Sequence, residues 1–450
     1  MRAKRAPQRS FFDVGYPNHE TGRALERIST LLDGHPEFLD WIAADVDRGR
    51  PSRRGRAGLP CEVILRCGIL KQLWQVDYRD LEFALLDSAS AKHFARVNPL
   101  RPPKKSALQK CIGAVRAEVW ERINRVLMGT ARGGKVEGGR TVRIDSTVTE
   151  THIRKPTDSQ LLCDGVRVLT RLLVHARDEL GAEAFPFHNH RRAAKRWALR
   201  ASRRRGKRRV AAYRELLGIA RRTLGYLHGA LAAVEEREVP ALRDWRAKAL
   251  QYGELLGRVV DQTERRVLRG EKVPAQEKVA SLFESHTDII VKGGRQVHYG
   301  HKVNLSTGAS GLVLDAVVER GNPADSSRCL AMIERHAEIY GTVPKQVACD
   351  AGYASKRNLH EAKALGVTDM VFERKRGLRV ADMASTPGVY DKLRRFRAGI
   401  EAGISYLKRC FGLRRCHWQG LDHFRAYVWS AIVAHNLAVL ARSPLKLKPT

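Results

Sequence analysis

The chain has 450 residues, enough for two to four domains at ~100–200 residues each, so a small disulfide-stapled scaffold is excluded. Its 82 Lys and Arg against 48 Asp and Glu give a formal net charge of +34, while 43% of its residues are hydrophobic. The apolar share excludes a wholly disordered basic tail, and the charge predicts a polyanionic partner.

Residues 1–55 are mixed in pattern and end in a basic, Gly- and Pro-containing stretch, 48–58, that reads as a linker. No apolar stretch follows the basic N-terminus, so no secretory signal is expected. Over residues 56–130 apolar residues recur at three- and four-residue spacing, from Val63, Ile64, Cys67 and Leu70 to Val119, Ile123 and Val126. That spacing predicts a helical domain. Pro102 and Pro103 interrupt it, and Ser106 offers a cap for the helix that follows.

A Gly-rich hinge at 133–139 leads to residues 141–145, which alternate like a half-buried strand and set Asp145 on the face opposite Val142 and Ile144. Residues 155–285 return to helical periodicity. Within them, seams from Leu217 to Val234 and from Leu242 to Thr263 predict an antiparallel helix hairpin. Between Arg191 and Arg222 there are fourteen Lys and Arg and a single acid, Glu215, a net +13 of the total +34. A charge run is often a solvated helix face, but Arg203, Arg204, Arg205, Lys207, Arg208 and Arg209 have no acidic counterpart, and such density favours phosphate.

Past residue 285 the pattern changes to strands at 287–291, 296–304 and 312–318, with turns at Gly293-Gly294 and Ser306-Thr307-Gly308. A helix at 324–339, a strand at 347–349 ending at Asp350, a helix at 355–365 and a strand at 370–372 follow. Together with 141–145 these predict an α/β fold with one mixed sheet, into which 155–285 is a basic helical insertion. The apolar stretch 427–441 contains His435 and Asn436 and falls short of the ~18 residues that begin to suggest a membrane span, so no membrane and a cytoplasmic location are expected.

Asp350 stands where a buried strand ends, the place where ligand sites gather in α/β sheets, and Asp145 ends its own strand. If those strands are neighbours the two acids converge, and a divalent metal is the usual neutraliser of such a pair. A helix over 392–411 carries Arg397, Glu401 and Lys408 within ~40° around its axis, beside an apolar stripe of Ile400, Ile404, Leu407 and Phe411. Surface pairing of Arg397 with Glu401 is the plainer explanation of that spacing. Glu373 is the rival third acid and ranks lower, because Phe372-Glu373-Arg374-Lys375 reads as a basic loop. His152, Trp418 and the eight cysteines, among them Cys410 and Cys416 beside His417, read as structural.

These residues resemble the DDE transposases of bacterial insertion sequences, whose catalytic domain is ribonuclease H-like. Arg397, Glu401 and Lys408 match one group's Tyr-x2-Arg-x3-Glu-x6-Lys signature, with Arg394 at the tyrosine position. Asp145-Ser146-Thr147 and Asp350-Ala351-Gly352-Tyr353 look like the family's two aspartate motifs, and 286–325 most resembles the ISNCY subgroup. The resemblance implies a helical DNA-binding domain at 56–132 and a catalytic domain at 139–445 interrupted by 155–285. It implies Mg²⁺ or Mn²⁺, two ions, with Asp145 and Asp350 bridging and Glu401 on the second ion, and Lys408 on a phosphate near the element's end. The implied reaction is hydrolysis and then transesterification on double-stranded DNA, at terminal inverted repeats and a target, by a homo-oligomer. A nuclease of the same fold and a basic DNA-binding protein without catalysis are the alternatives.

Overall fold

The computed structural model describes residues 3–5, 15–48, 58–98, 100–237, 239–292 and 296–444. Most of the predicted linker at 48–58, the Gly293-Gly294 turn and residues 445–450 lie outside the described residues. The chain divides into two compact units, one of residues 1–152 with 301–450 and one of residues 153–300.

The first unit opens with α1 (Glu20–Asp33), α2 (Glu37–Val46), α3 (Cys61–Trp74), α4 (Tyr78–Asp87), α5 (Ala89–Ala95), α6 (Lys105–Gly113) and α7 (Ala117–Gly133). Local chemistry sets several of these ends. Asp77 accepts from the N–H groups of Arg79 and Asp80 to cap α4, and Ser88 accepts from Ala91 N–H to cap α5. The sequence assigns no elements to residues 20–46, yet Leu25, Ile28, Leu31 and Leu32 give α1 a buried face. Next comes β1 (Thr141–Thr151), six residues longer than the predicted strand, because Thr147, Val148, Thr149 and Thr151 continue a run of β-branched residues.

In the second unit α8 (Asp158–Leu180), α9 (Arg191–Arg203), α10 (Gly206–Glu236) and α11 (Arg243–Thr263) share one core, built from Leu162, Leu169, Leu216, Leu256 and Val259 among others. α10 and α11 pack on each other, and α8 lies against both, so the seams at 217–234 and 242–263 are part of a four-helix core. This unit also holds β2 (Asp288–Lys292), antiparallel to residues 296–300 of β3 (Gln296–Thr307).

The first unit resumes at residue 301 of β3. It adds β4 (Val313–Val318), α12 (Cys329–Tyr340), β5 (Gln346–Cys349), α13 (Lys356–Ala364), β6 (Asp369–Phe372), α14 (Val380–Met383), α15 (Pro387–Cys410), β7 (Arg415–Cys416) and α16 (Leu421–Arg442). Its strands lie in the order β4, β3, β1, β5, β6, with β7 beside the last residues of β1. β3 and β4 are antiparallel, while β1, β5 and β6 run parallel, as expected of one mixed sheet. The three strands predicted at 287–291, 296–304 and 312–318 pair as two antiparallel hairpins, β2 with β3 and β3 with β4, and β3 also neighbours β1.

α16 is the central helix of this unit, buried on nearly every face. It is long and apolar enough to cross a membrane, but 89% of its apolar window is buried, which marks a core helix. Its Asn436 accepts from Val313 N–H at 2.9 Å and donates to Val313 O and to Asn124 Oδ1, both at 2.7 Å. A fully satisfied buried amide thus ties α16, α7 and β4 into one body.

Candidate active site

β1 and β5 pair with Ile144 opposite Cys349, so Asp145 and Asp350 are the next residues along two neighbouring parallel strands. β5 and β6 pair with Cys349 opposite Phe372, and Glu373 N–H donates to Cys349 O at 3.0 Å. Glu373 therefore follows Asp350 across the sheet as Asp350 follows Asp145. Three acids stand level on three adjacent strands, at the carboxyl ends of β5 and β6. Asp145 is not at a strand end as predicted, because β1 runs on to Thr151.

α15 packs on these same three strands. Thr386 accepts from Val389 N–H at 3.2 Å and Pro387 takes the first helical position, so the helix starts before the predicted residue 392. Tyr390, Leu393, Ile400 and Leu407 are its buried apolar face. Gly399 permits the close approach. A Cβ there would overlap the guanidinium of Arg143, which donates to Thr307 Oγ1 at 2.9 Å and to Phe396 O at 3.0 Å.

From this helix Arg397 enters the row of acids. Its Nη2 lies 3.0 Å from Asp350 Oδ1 and 3.5 Å from Asp145 Oδ2, and its Nη1 lies 3.2 Å from Glu373 Oε1 and 3.0 Å from Glu401 Oε1. The Arg397 side chain is only 8% exposed. One buried guanidinium thus faces four carboxylates, which a surface i,i+4 pair does not explain. Burial opposes its charge, but Asp350, Asp145, Glu373 and Glu401 outweigh burial and hold its pKa above the ordinary arginine value.

Asp350 and Glu373 both contact Arg397, yet their tendencies diverge. Burial works against the Asp350 charge, but the Glu373 carboxyl, the N–H groups of Ala351 and Gly352, and Arg397 together hold its pKa below the usual carboxylate range. For Glu373 the hydrogen bond with Asp350, aided by burial, raises the pKa, and Arg397 only partly offsets this. Glu401 is the outer member, its side chain 66% exposed. Lys408 lies about two turns further along α15 and is half-buried; Arg394, at the tyrosine position of the signature, is exposed.

The donor set is one a hard divalent ion requires: carboxylate oxygens, with no imidazole or thiolate among them. Among the described residues no three His, Cys, Asp or Glu side chains are grouped tightly enough to hold an ion as they stand. The acids converge on the Arg397 guanidinium instead, a stand-in cation that neutralises one charge of several. On that chemistry Asp145, Asp350 and Glu401 fit the implied metal.

In the second unit Arg203 ends α9, Arg204 and Arg205 link it to α10, and Lys207, Arg208 and Arg209 lie in the first turn of α10. All six side chains are exposed, and among the described residues none is in an ion pair. The remaining singled-out residues are structural in their contacts. Trp418 is buried with its ring edge-on to Tyr427, the His152 and His417 rings lie 4.6 Å apart, and the Cys416 thiol accepts from Trp418 N–H. None of the eight cysteines is in a disulfide.

Residues 256–437 match the family model described as the transposase DDE domain. Residues 256–437 carry a transposase DDE domain. The matched stretch takes in Asp350, Glu373, Arg397, Glu401 and Lys408 and begins beyond Asp145; it names the domain family and not the ISNCY subgroup. The ribonuclease H-like fold that such a domain implies is consistent with the mixed sheet and the helical N-terminal region. No curated protein and no solved structure matches the chain. Two features of this DDE transposase domain exceed what sequence spacing conveys: Arg397 as the hub of four acids, and Glu373 as the partner of Asp350. The second left a signal, since Glu373 follows its strand as Asp350 follows its own.

Proposed function

We propose that the chain is the transposase of an insertion sequence, cutting DNA at the ends of its element and joining the freed ends to a target. The observation that carries this reading is the convergence of Asp145, Asp350 and Glu401 on one buried guanidinium, in a chain whose residues 256–437 match the transposase DDE domain. Asp145 and Asp350, fixed by strand pairing, would hold the metal together with Glu401 of α15. Two Mg²⁺ or Mn²⁺ ions held there would supply activation of the attacking oxygen and neutralise the leaving one. No side chain is needed as a covalent nucleophile.

The rest of the work falls to the cations of the chain. Arg397 keeps the acids gathered and orients Glu401 through the 3.0 Å contact between Nη1 and Oε1. Lys408, on the same helix, meets a phosphate near the element's end. The exposed arginines and lysine at 203–209 hold DNA backbone by charge, whatever its sequence. Two ends must be brought together, so the active form is a homo-oligomer, working on chromosomal DNA in the cytoplasm.

Asp350→Asn tests the reading, because it removes a charge and keeps the shape. Binding to end DNA should be unchanged while metal-dependent cleavage falls by at least about 10³-fold. Cleavage undiminished in this variant would contradict the proposal. Pre-cut ends offered with target DNA separate a transposase, which joins them, from a nuclease of the same fold, which does not.

A further inference from the structure

The three acids of the family signature are not the whole of this cluster. Parallel pairing of β5 with β6 continues through the 3.0 Å hydrogen bond from Glu373 N–H to Cys349 O, so the backbone itself fixes Glu373 beside Asp350. Both carboxyls contact the same guanidinium, Asp350 through Arg397 Nη2 at 3.0 Å and Glu373 through Nη1 at 3.2 Å. Glu401, by contrast, comes from a helix, reaches the cluster through Arg397, and is more exposed than Glu373, at 66% against 39%. Four carboxylates share one guanidinium, which leaves a surplus of negative charge where β5 and β6 end. A structural ion pair with Arg397 would need only one acid, and gathering four like charges on a single cation is costly unless further positive charge arrives.

We propose that Glu373 is a metal ligand, a fourth carboxylate that joins Asp350 in holding a divalent ion at the ends of β5 and β6. The proposal rests on reading this cluster as the metal site of a transposase. An ion between Asp350 and Glu373 satisfies both charges at once, and Arg397 is then left to Glu401 and to the DNA phosphate that arrives with the substrate.

Titration of Mn²⁺ into the full chain, followed by the paramagnetic resonance signal of free Mn²⁺, tests this without any catalytic readout. Glu373→Gln keeps a hydrogen-bond donor for Asp350 but has no charge. It should weaken Mn²⁺ binding at least 10-fold, and Glu373→Ala should match it. If the Gln variant binds as the wild type does while Asp350→Asn loses binding, Glu373 is only a hydrogen-bonding neighbour and the proposal is overturned. Wild-type Mn²⁺ binding in Asp350→Asn as well would remove the metal site itself from this cluster, a failure of the underlying reading that is distinct from the first. Circular dichroism of each variant verifies that the fold is kept.

Discussion

Asp145 and Asp350 each follow one member of a paired couple, Ile144 and Cys349, on adjacent parallel strands. Their proximity is a property of the backbone and needs no loop to create it. The cost of placing like charges side by side is met by Arg397, whose Nη2 contacts both. Sheet register and a single buried cation are thus enough to gather acids that lie far apart in the chain.

Arg397→Ala removes the shared cation and leaves four carboxylates facing one another. In buffer with EDTA the variant should lose roughly 1–3 kcal/mol of unfolding free energy, less than a fully buried pair because Glu373 and Glu401 are part-exposed. Added Mg²⁺ should return part of it. Urea denaturation with and without the ion measures both effects, and equal stability of variant and wild type in EDTA would contradict the role given to the guanidinium.

Neutralising Arg203, Arg204, Arg205, Lys207, Arg208 and Arg209 to Gln should leave the fold intact, since all six side chains are exposed. Binding to duplex DNA should weaken and its dependence on salt should flatten, by about 0.9 in logarithmic slope for each phosphate that is no longer neutralised. An unchanged slope in filter-binding or fluorescence titrations would return this run to a merely solvated face.

His435 is 3% exposed within α16, and burial drives its pKa down to about 4 even though Asn436 hydrogen-bonds the ring. The unfolded chain takes up its proton near pH 6.5, and the folded one only near 4. Stability is therefore complete above about pH 6.5 and declines as pH falls from there toward 4, by of order 1–3 kcal/mol from this residue. Equilibrium unfolding of wild type and His435→Gln at pH 7.5 and 4.5 should show a smaller loss in the variant. An identical loss in both would place the acid sensitivity elsewhere.

Much of this site is legible in the residues themselves. Asp350 after an apolar strand and the stripe of Arg397, Glu401 and Lys408 on an amphipathic helix follow from local periodicity, which sequence carries directly. Strand order does not. That β1 lies between β3 and β5, and that β2 pairs with only part of β3, depends on long-range register, and the alternation within each strand is the same for either arrangement. The start of α15 at Pro387 is signalled by Thr386-Pro387, a cap followed by a first-turn proline, ahead of the apolar period. Glu373 shows the remaining gap. Its basic neighbours Arg374 and Lys375 suggest a loop, whereas its position one residue past a strand is what brings it to Asp350.

Binding of divalent ions among these carboxylates is what the proposed chemistry requires, and localised oxidative cleavage of the chain tests it most directly. Fe²⁺ substituted for Mg²⁺ generates hydroxyl radicals at its own position when ascorbate and peroxide are added. Fragment mapping should place the cuts beside Asp145, Asp350, Glu373 and Glu401, and excess Mg²⁺ should suppress them. Cuts confined to other parts of the chain, with these four positions intact, would contradict the site.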